Sequence, residues 1–356
     1  MSSFENYKGP YNPKPRPLPD GEAYISIYNY VPSLALGALA AALFAVAFVG
    51  HTYLFVRGRG IRWFQGLMAF GSAMEVVGYG FRIKSHGNPF LVIPFVIQYF
   101  FIVCAPVFFA AALYLSLQYA INLNPANLQV SPVKKAFVTS EEIPETFACI
   151  RACTNGQPAL VFIVIDSVTT VIQIVGAALI GVASSKDSRG EETKITSAQA
   201  NNILLAGLSL QCASFLVFLA ILTTILLRLR NHAKYPKATS SQLALTRVDS
   251  SNTSDPTARG AEKTSQATYS GGHTYTKTFL VILYVTSLLI FLRTVYRLAE
   301  TAEGVWGTAS SYEWLFGLLE FAPVILAVLM WLARPLMVEM RRMGMNGGVR
   351  GGRNTV

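Results

Sequence analysis

The chain has 356 residues, 52% of them hydrophobic and only 13% charged, with a mean hydropathy of +0.42. Soluble proteins carry about a quarter charged residues, so this composition excludes an ordinary soluble enzyme. The net charge of +10 would ordinarily raise nucleic acid, but the Lys and Arg residues sit between apolar runs, so the expected acidic partner is a lipid surface and no nucleic acid is expected.

Residues 1–29 carry Pro10, Pro13, Pro15, Pro17 and Pro19 among polar residues and lack an apolar h-region. They read as an extended, uncleaved extracellular tail. Seven apolar stretches follow, at about 30–56, 62–84, 91–121, 158–184, 199–229, 276–300 and 313–333. Each exceeds the roughly 20 residues that span about 30 Å of hydrocarbon, which predicts an all-α polytopic membrane protein, a seven-transmembrane-helix bundle over 30–336. An odd span count puts the termini on opposite sides. Placing the N-terminus outside puts Arg57, Arg59, Arg62, Lys134, Lys135, Arg151, the basic residues from Arg228 to Lys277 and those of the C-terminal tail in the cytosol, as the positive-inside rule requires.

Residues 231–275, rich in Ser and Thr, read as a disordered cytosolic loop open to phosphorylation and to cytosolic regulators. Asn252 opens a glycosylation pattern that a cytosolic loop never presents to the transferase. Cys149 and Cys153 fall in another cytosolic loop, where a disulfide is not expected and palmitoylation or plain thiols are. The basic, Gly-rich segment 337–356 reads as a cytosolic tail.

Ionisable residues inside a span cost at least about 2.5–3.5 kcal/mol, so those present should pair or line a cavity. Glu75, Tyr79 and Arg82 share one face of span two. Gln98 lies in span three, Asp166 and Gln173 in span four, and Gln211 in span five. Arg293, Arg297 and Glu300 form a stripe on span six, and Glu313 and Glu320 lie seven apart on span seven. Helix direction puts Gln98 and the charged residues of spans two, six and seven in the outer half of the bilayer, Asp166 in the inner half, and Gln173 and Gln211 near the middle. This predicts one outward-facing polar cavity with a deeper acid below it, in which Arg293 and Arg297 oppose Glu75 and Glu320. Pairing that merely holds helices together is the alternative for any one of these residues. His51 reads as a snorkelling interface residue, Pro106 and Pro323 as kinks, and Trp63, Trp306, Trp314 and Trp331 as an aromatic belt.

The sequence carries no GxxxxGK[ST] loop, no HExxH, no GxSxG and no lysine in the middle of a span. No catalytic residue, metal or cofactor is expected. A seven-transmembrane receptor or stress sensor shares this topology, although span three ends LYLSLQYAINLNP without an acidic-Arg-aromatic triplet and span seven lacks NPxxY. A passive membrane organiser is a third reading.

The motifs YxPS at Tyr30, ExxGYxxR at Glu75, AP at Ala105 with AAxxY at Ala110, DxxxxxxQxxG at Asp166, GLxxQ at Gly207 and RxxYRxxE at Arg293 occur in one order. In that order and spacing the chain resembles the fungal lipid-translocating exporters, the RTA-like seven-span proteins. It departs from them at Gly176-Ala177-Ala178, where many carry a glycine run, and at Glu320, where Asp is usual. The resemblance implies a fungal plasma-membrane protein that moves amphipathic lipids such as sphingoid long-chain bases, with sterol-like and porphyrin-like compounds as further candidates. Membrane lipids or amphipathic small molecules are then the expected partners. The head group would be held by Glu75, Asp166 and Glu320 and charge-balanced by Arg82, Arg293 and Arg297.

Overall fold

The computed structural model describes residues 9–14, 22, 26, 28, 30–57, 62–123, 158–187, 196–234, 257–304 and 307–333; at 119–123, 158, 181–187, 197, 228–234 and 257–278 the description is of the backbone. Cys149, Cys153, Asn252, Trp306 and the 337–356 tail lie outside the described residues. Long helices dominate: α1 (Leu34–Arg57), α2 (Arg62–Gly87), α3 (Val92–Leu123), α4 (Pro158–Asp187), α5 (Ser197–Lys234), α6 (Thr257–Glu303) and α7 (Glu313–Ala333). No strand occurs among the described residues, and an isolated bridge joins Glu22 to Leu91. The fold is all-α.

Six of these helices, all but α2, are long and apolar enough to cross a membrane. At 26 residues α2 has the length, but Glu75, Arg82 and Lys84 lower its apolarity. The pattern of burial is the reverse of a soluble protein's. Val46, Val49, Val171 and Leu216 are more than half exposed or close to it, while Glu75, Arg82, Asp166, Gln173, Arg293 and Glu320 are buried. Apolar side chains facing outward and charges facing inward are what hydrocarbon selects, and the chain is an integral membrane protein.

Each helix packs on the next, and α7 returns to α1, so the bundle closes on itself. Helix α3 also reaches α6 across the interior. It is the central helix: 72% of its apolar window is buried, against 28% for α1. Pro106 sits inside α3 without breaking it. A proline lacks the N–H that would bond the carbonyl four residues earlier, so the Ile102 carbonyl is left free to accept from elsewhere.

Helix α7 is not uniform. Residues Phe316–Phe321 form a π-helical turn in which the Ala322 N–H bonds the Gly317 carbonyl, immediately before Pro323. Such a widened turn shifts the side chains after it, and it carries Glu320. The even seven-residue stripe expected for Glu313 and Glu320 is therefore reset between them.

Helices α4 and α5 approach closely because Gly176 faces α5. A β-carbon there would lie 2.8 Å from the Leu204 backbone nitrogen. Of the 231–275 segment, residues 231–234 continue α5 and residues 257–275 belong to α6, while 235–256 lie outside the described residues. Extension of an existing helix adds one hydrogen bond per residue fixed, so the apolar helices propagate into polar sequence.

Part of the N-terminal tail packs on the bundle instead of leaving it. Ser26, Asn12 and Tyr28 are buried, and the Ser26 N–H donates to the Pro10 carbonyl at 3.1 Å. Glu22 accepts from Lys14 Nζ at 2.5 Å and from the side-chain amides of Asn12 and Asn88 at 3.1 Å each. These hydrogen bonds, led by Lys14, hold the Glu22 carboxyl below its ordinary 4.5. The segment forms a strap across the α2–α3 connection.

Two expectations are corrected. His51 is fully buried, its Nδ1 2.6 Å from Gln65 Oε1 and its Nε2 3.3 Å from the Val328 carbonyl. It shares the inward face of α1 with Phe44 and Ala47, three- and four-residue steps that place it in the core rather than at an interface. Trp331 is also core, edge-on to Phe64 and Phe279 with its Nε1 donating to Thr286 Oγ1 at 3.3 Å. Trp63 and Trp314 are exposed at helix ends.

Candidate functional site: three buried polar groups

The predicted polar residues do not form one cluster. They divide into an ionic group among α2, α3, α6 and α7, a capped ion pair beneath the strap, and a polar seam between α4 and α5.

The ionic group is built around Glu320 on the π turn. Its Oε1 accepts from Arg293 Nε at 3.1 Å and Arg293 Nη2 at 2.7 Å. Arg297 Nε lies 3.1 Å from the same oxygen, within ion-pair range but misaimed for a hydrogen bond. Arg293 Nη2 donates also to the Ile102 carbonyl at 3.0 Å, the group that Pro106 leaves free. Arg297 Nη1 donates to Glu300 Oε2 at 2.6 Å, and its guanidinium sits 5.1 Å from the Tyr99 ring centre. Glu75 is 2% exposed and feels the charges of Arg293, Arg297 and Glu320, yet its Oε2 has no hydrogen-bond partner. The expectation that Glu75 and Glu320 share the two arginines is therefore corrected: both guanidiniums are drawn to Glu320, which the π turn brings to them. Tyr79, one turn beyond Glu75, is stacked on Phe44 at 5.7 Å and edge-on to Phe321.

Counting charge, two guanidiniums meet three carboxylates, Glu75, Glu300 and Glu320. One acid is left over, and Glu75 is the one without a bond to either arginine. A buried ionised carboxylate without a partner is costly, so this side chain must hold a proton or meet a cation.

The second group is balanced. Arg82 Nη2 donates to Glu313 Oε1 at 2.8 Å and to Tyr30 OH at 3.1 Å. Glu313 Oε1 also accepts the Ser33 N–H at 2.8 Å. The two ends of the YxPS motif thus clip the chain before α1 onto one ion pair. The Arg82 guanidinium lies 4.2 Å from the Phe316 ring centre. Tyr28 OH donates to Gln98 Oε1 at 2.5 Å, and burial pushes the Tyr28 phenol up to about 12, so it remains a donor.

The third group follows the antiparallel α4–α5 seam. Asp166 Oδ2 accepts from Tyr114 OH at 2.6 Å. Its Oδ1 and the facing Ser214 Oγ are buried without a well-formed hydrogen bond. Gln173 Nε2 donates to Gln211 Oε1 at 2.6 Å, and Gly207 admits the Gln173 side chain, a β-carbon there lying 3.0 Å from Gln173 Cγ. Asp166 is therefore not a floor beneath the ionic group, as expected, but belongs to a separate seam. Sequence reasoning missed Tyr28, Tyr99, Ser214 and the Ile102 carbonyl as partners. For the last the signal was present, since Pro106 stands four residues after it.

A sequence model of the RTA1-like protein family matches residues 68–156 and 145–338. The Saccharomyces cerevisiae protein named sphingoid long-chain base transporter RSB1 (strain Lalvin EC1118) is 27% identical over 259 residues, 72% of this chain and 60% of that protein. The chain thus aligns with less than two thirds of that relative's length. Protein RTA1 of Saccharomyces cerevisiae is 23% identical over 331 residues, covering 86% of this chain and 83% of the relative. No solved structure matches the chain.

Proposed function

The chain belongs to the RTA1-like protein family, and from that premise we propose that it translocates an amphipathic lipid with a cationic head group, the ammonium of a sphingoid long-chain base being the type. The observation that carries this reading is the surplus acid: Glu75, buried among two arginines and two further carboxylates, is bonded to neither arginine, and its Oε2, like Glu320 Oε2, is satisfied by none of the described residues. An ammonium supplies one positive charge and three donors, enough to neutralise the group and satisfy Glu75 Oε2 at once. The tail of such a lipid stays in hydrocarbon while its head passes through the bundle. The name of the relative RSB1 supports the same substrate class. An anionic head group, as on a porphyrin, fits less well, because Arg293 and Arg297 are already engaged by Glu320 and Glu300.

On this reading α2 also crosses the membrane and brings the spans to seven, the N-terminus and strap face outward and the protein works at the plasma membrane. The Arg82–Glu313 pair and Gln98 then line the outer exit. Segment 231–275 is then the part of the chain open to cytosolic regulators. The test is transbilayer movement in liposomes. The purified protein should speed movement of a fluorescent long-chain base and leave its N-acylated, uncharged analogue at the protein-free rate. Equal acceleration of both, or of neither, would overturn the assignment.

A further inference from the structure

Asp166 is the second buried acid without a cation. It is 1% exposed, and no guanidinium or ammonium among the described residues lies within ion-pair distance of it. The titratable group that faces it from α3 is Tyr114, which donates to Oδ2. From α5 it faces Ser214, whose hydroxyl is near enough to act on the carboxylate but makes no well-formed hydrogen bond, and α4 itself presents Thr169 and Thr170, which bond the Asp166 backbone carbonyl.

The space around this carboxylate is filled by aromatic rings. The rings of Tyr114, Phe162, Phe215 and Phe218 touch one another, with centroids 4.7–5.9 Å apart. A lipid head group would have to part these rings, whereas a proton needs no room. Protonation would also complete the local bonding. An O–H on Oδ1 can donate to Ser214 Oγ, satisfying both orphaned atoms while Tyr114 continues to donate to Oδ2. Along the seam the Gln173–Gln211 pair provides the next hydrogen-bonding step toward the other end of α4, two turns from Asp166.

We propose that Asp166 is the proton-carrying carboxylate of the transport cycle, loading and releasing one proton through the α4–α5 seam. This rests on the translocation reading above. In the loading step an O–H bond forms at Oδ1 with a proton taken from water on one face. In the release step that bond breaks and the proton passes to water on the other face, restoring the carboxylate. Exchange of one proton for one ammonium lipid moves no net charge, so Glu75 and Asp166 are neutralised by different cations.

The experiment uses the full chain in liposomes with a fluorescent long-chain base whose amine is replaced by a guanidinium, which stays charged at every pH used and keeps its N–H donors. One unit of pH gradient exchanged one-for-one sustains about a tenfold accumulation of lipid in one leaflet. The wild type should show that accumulation, and a potassium diffusion potential should leave it unchanged. Asp166→Asn should equilibrate the lipid without accumulating it, Asp166→Glu should restore part of the accumulation, and Tyr114→Phe should move the midpoint of the pH profile. Infrared difference spectra of the wild type should show a buried carboxylic acid band that Asp166→Asn removes, which stands even if the variant transports poorly. Transport that ignores the pH gradient, follows a sodium gradient instead, or stays gradient-driven in Asp166→Asn would overturn the proposal while leaving translocation intact. A wild type that moves no lipid overturns both readings.

Discussion

Glu320→Gln and Glu75→Gln each replace a carboxyl of the same ionic group by an amide, and the geometry predicts different consequences for stability. Glu320 Oε1 takes two hydrogen bonds from Arg293, at 2.7 and 3.1 Å, and an ion contact from Arg297 at 3.1 Å. An amide retains an acceptor but not the charge, and it adds N–H donors facing two guanidiniums. Breaking a buried pair by removing one partner costs about 3–5 kcal/mol. At about 2–4 °C per kcal/mol for a domain of this size, the melting temperature should fall by roughly 6–20 °C. Glu75 forms no ion pair with either arginine and its Oε2 has no partner among the described residues, so an amide in place of its protonated carboxyl should shift stability by less than about 1 kcal/mol. Thermal unfolding of the two variants in detergent, followed by tryptophan fluorescence, compares them directly. If Glu75→Gln melts as low as Glu320→Gln, Glu75 is a structural ion-pair partner and the surplus-acid reasoning is wrong.

Gly176→Ala places a methyl 2.8 Å from the Leu204 backbone nitrogen, so it should spread α4 from α5 and destabilise the protein by about 1–3 kcal/mol; an unchanged melting temperature would show that the seam yields freely. Arg82→Lys keeps the charge but loses the planar group 4.2 Å from the Phe316 ring centre and the shared contact to Tyr30 and Glu313. A loss of about 0.5–2 kcal/mol is expected, read by chemical denaturation. Glu22 has its folded value depressed below the ordinary 4.5. Its contribution to strap docking is therefore complete above 4.5 and lost as pH falls through the lower folded value. Hydrogen exchange at the Ser26 N–H should accelerate in that acid range in the wild type and already be fast at neutral pH in Glu22→Gln; exchange that is indifferent to both would separate Glu22 from the strap.

The helices were legible because apolar runs of more than twenty residues have few ways to fold in hydrocarbon. The polar residues were legible too, since each costs too much to be incidental in a span. Their grouping was not. Depth along the bilayer follows from residue number, but the helix a side chain faces depends on packing that periodicity does not encode. Asp166 was placed beneath the ionic group when it faces Tyr114 and Ser214 across a different interface. Glu75 was given an arginine that the π turn of α7 hands to Glu320, and that turn has only Gly317 and Pro323 to announce it. The strap was read as a free tail because its anchors, Glu22, Tyr28 and Tyr30, are isolated polar and aromatic residues in a Pro-rich context with no period to mark them.

Head-group selectivity in Glu75→Gln tests the central claim most directly. The rate of long-chain base movement divided by that of its N-acylated analogue should be high in the wild type and fall to near unity in the folded variant, while Glu75→Asp keeps a preference for the charged lipid. A variant that still prefers the ammonium lipid as strongly as the wild type would contradict the account, because the surplus carboxylate would then play no part in recognising the cation.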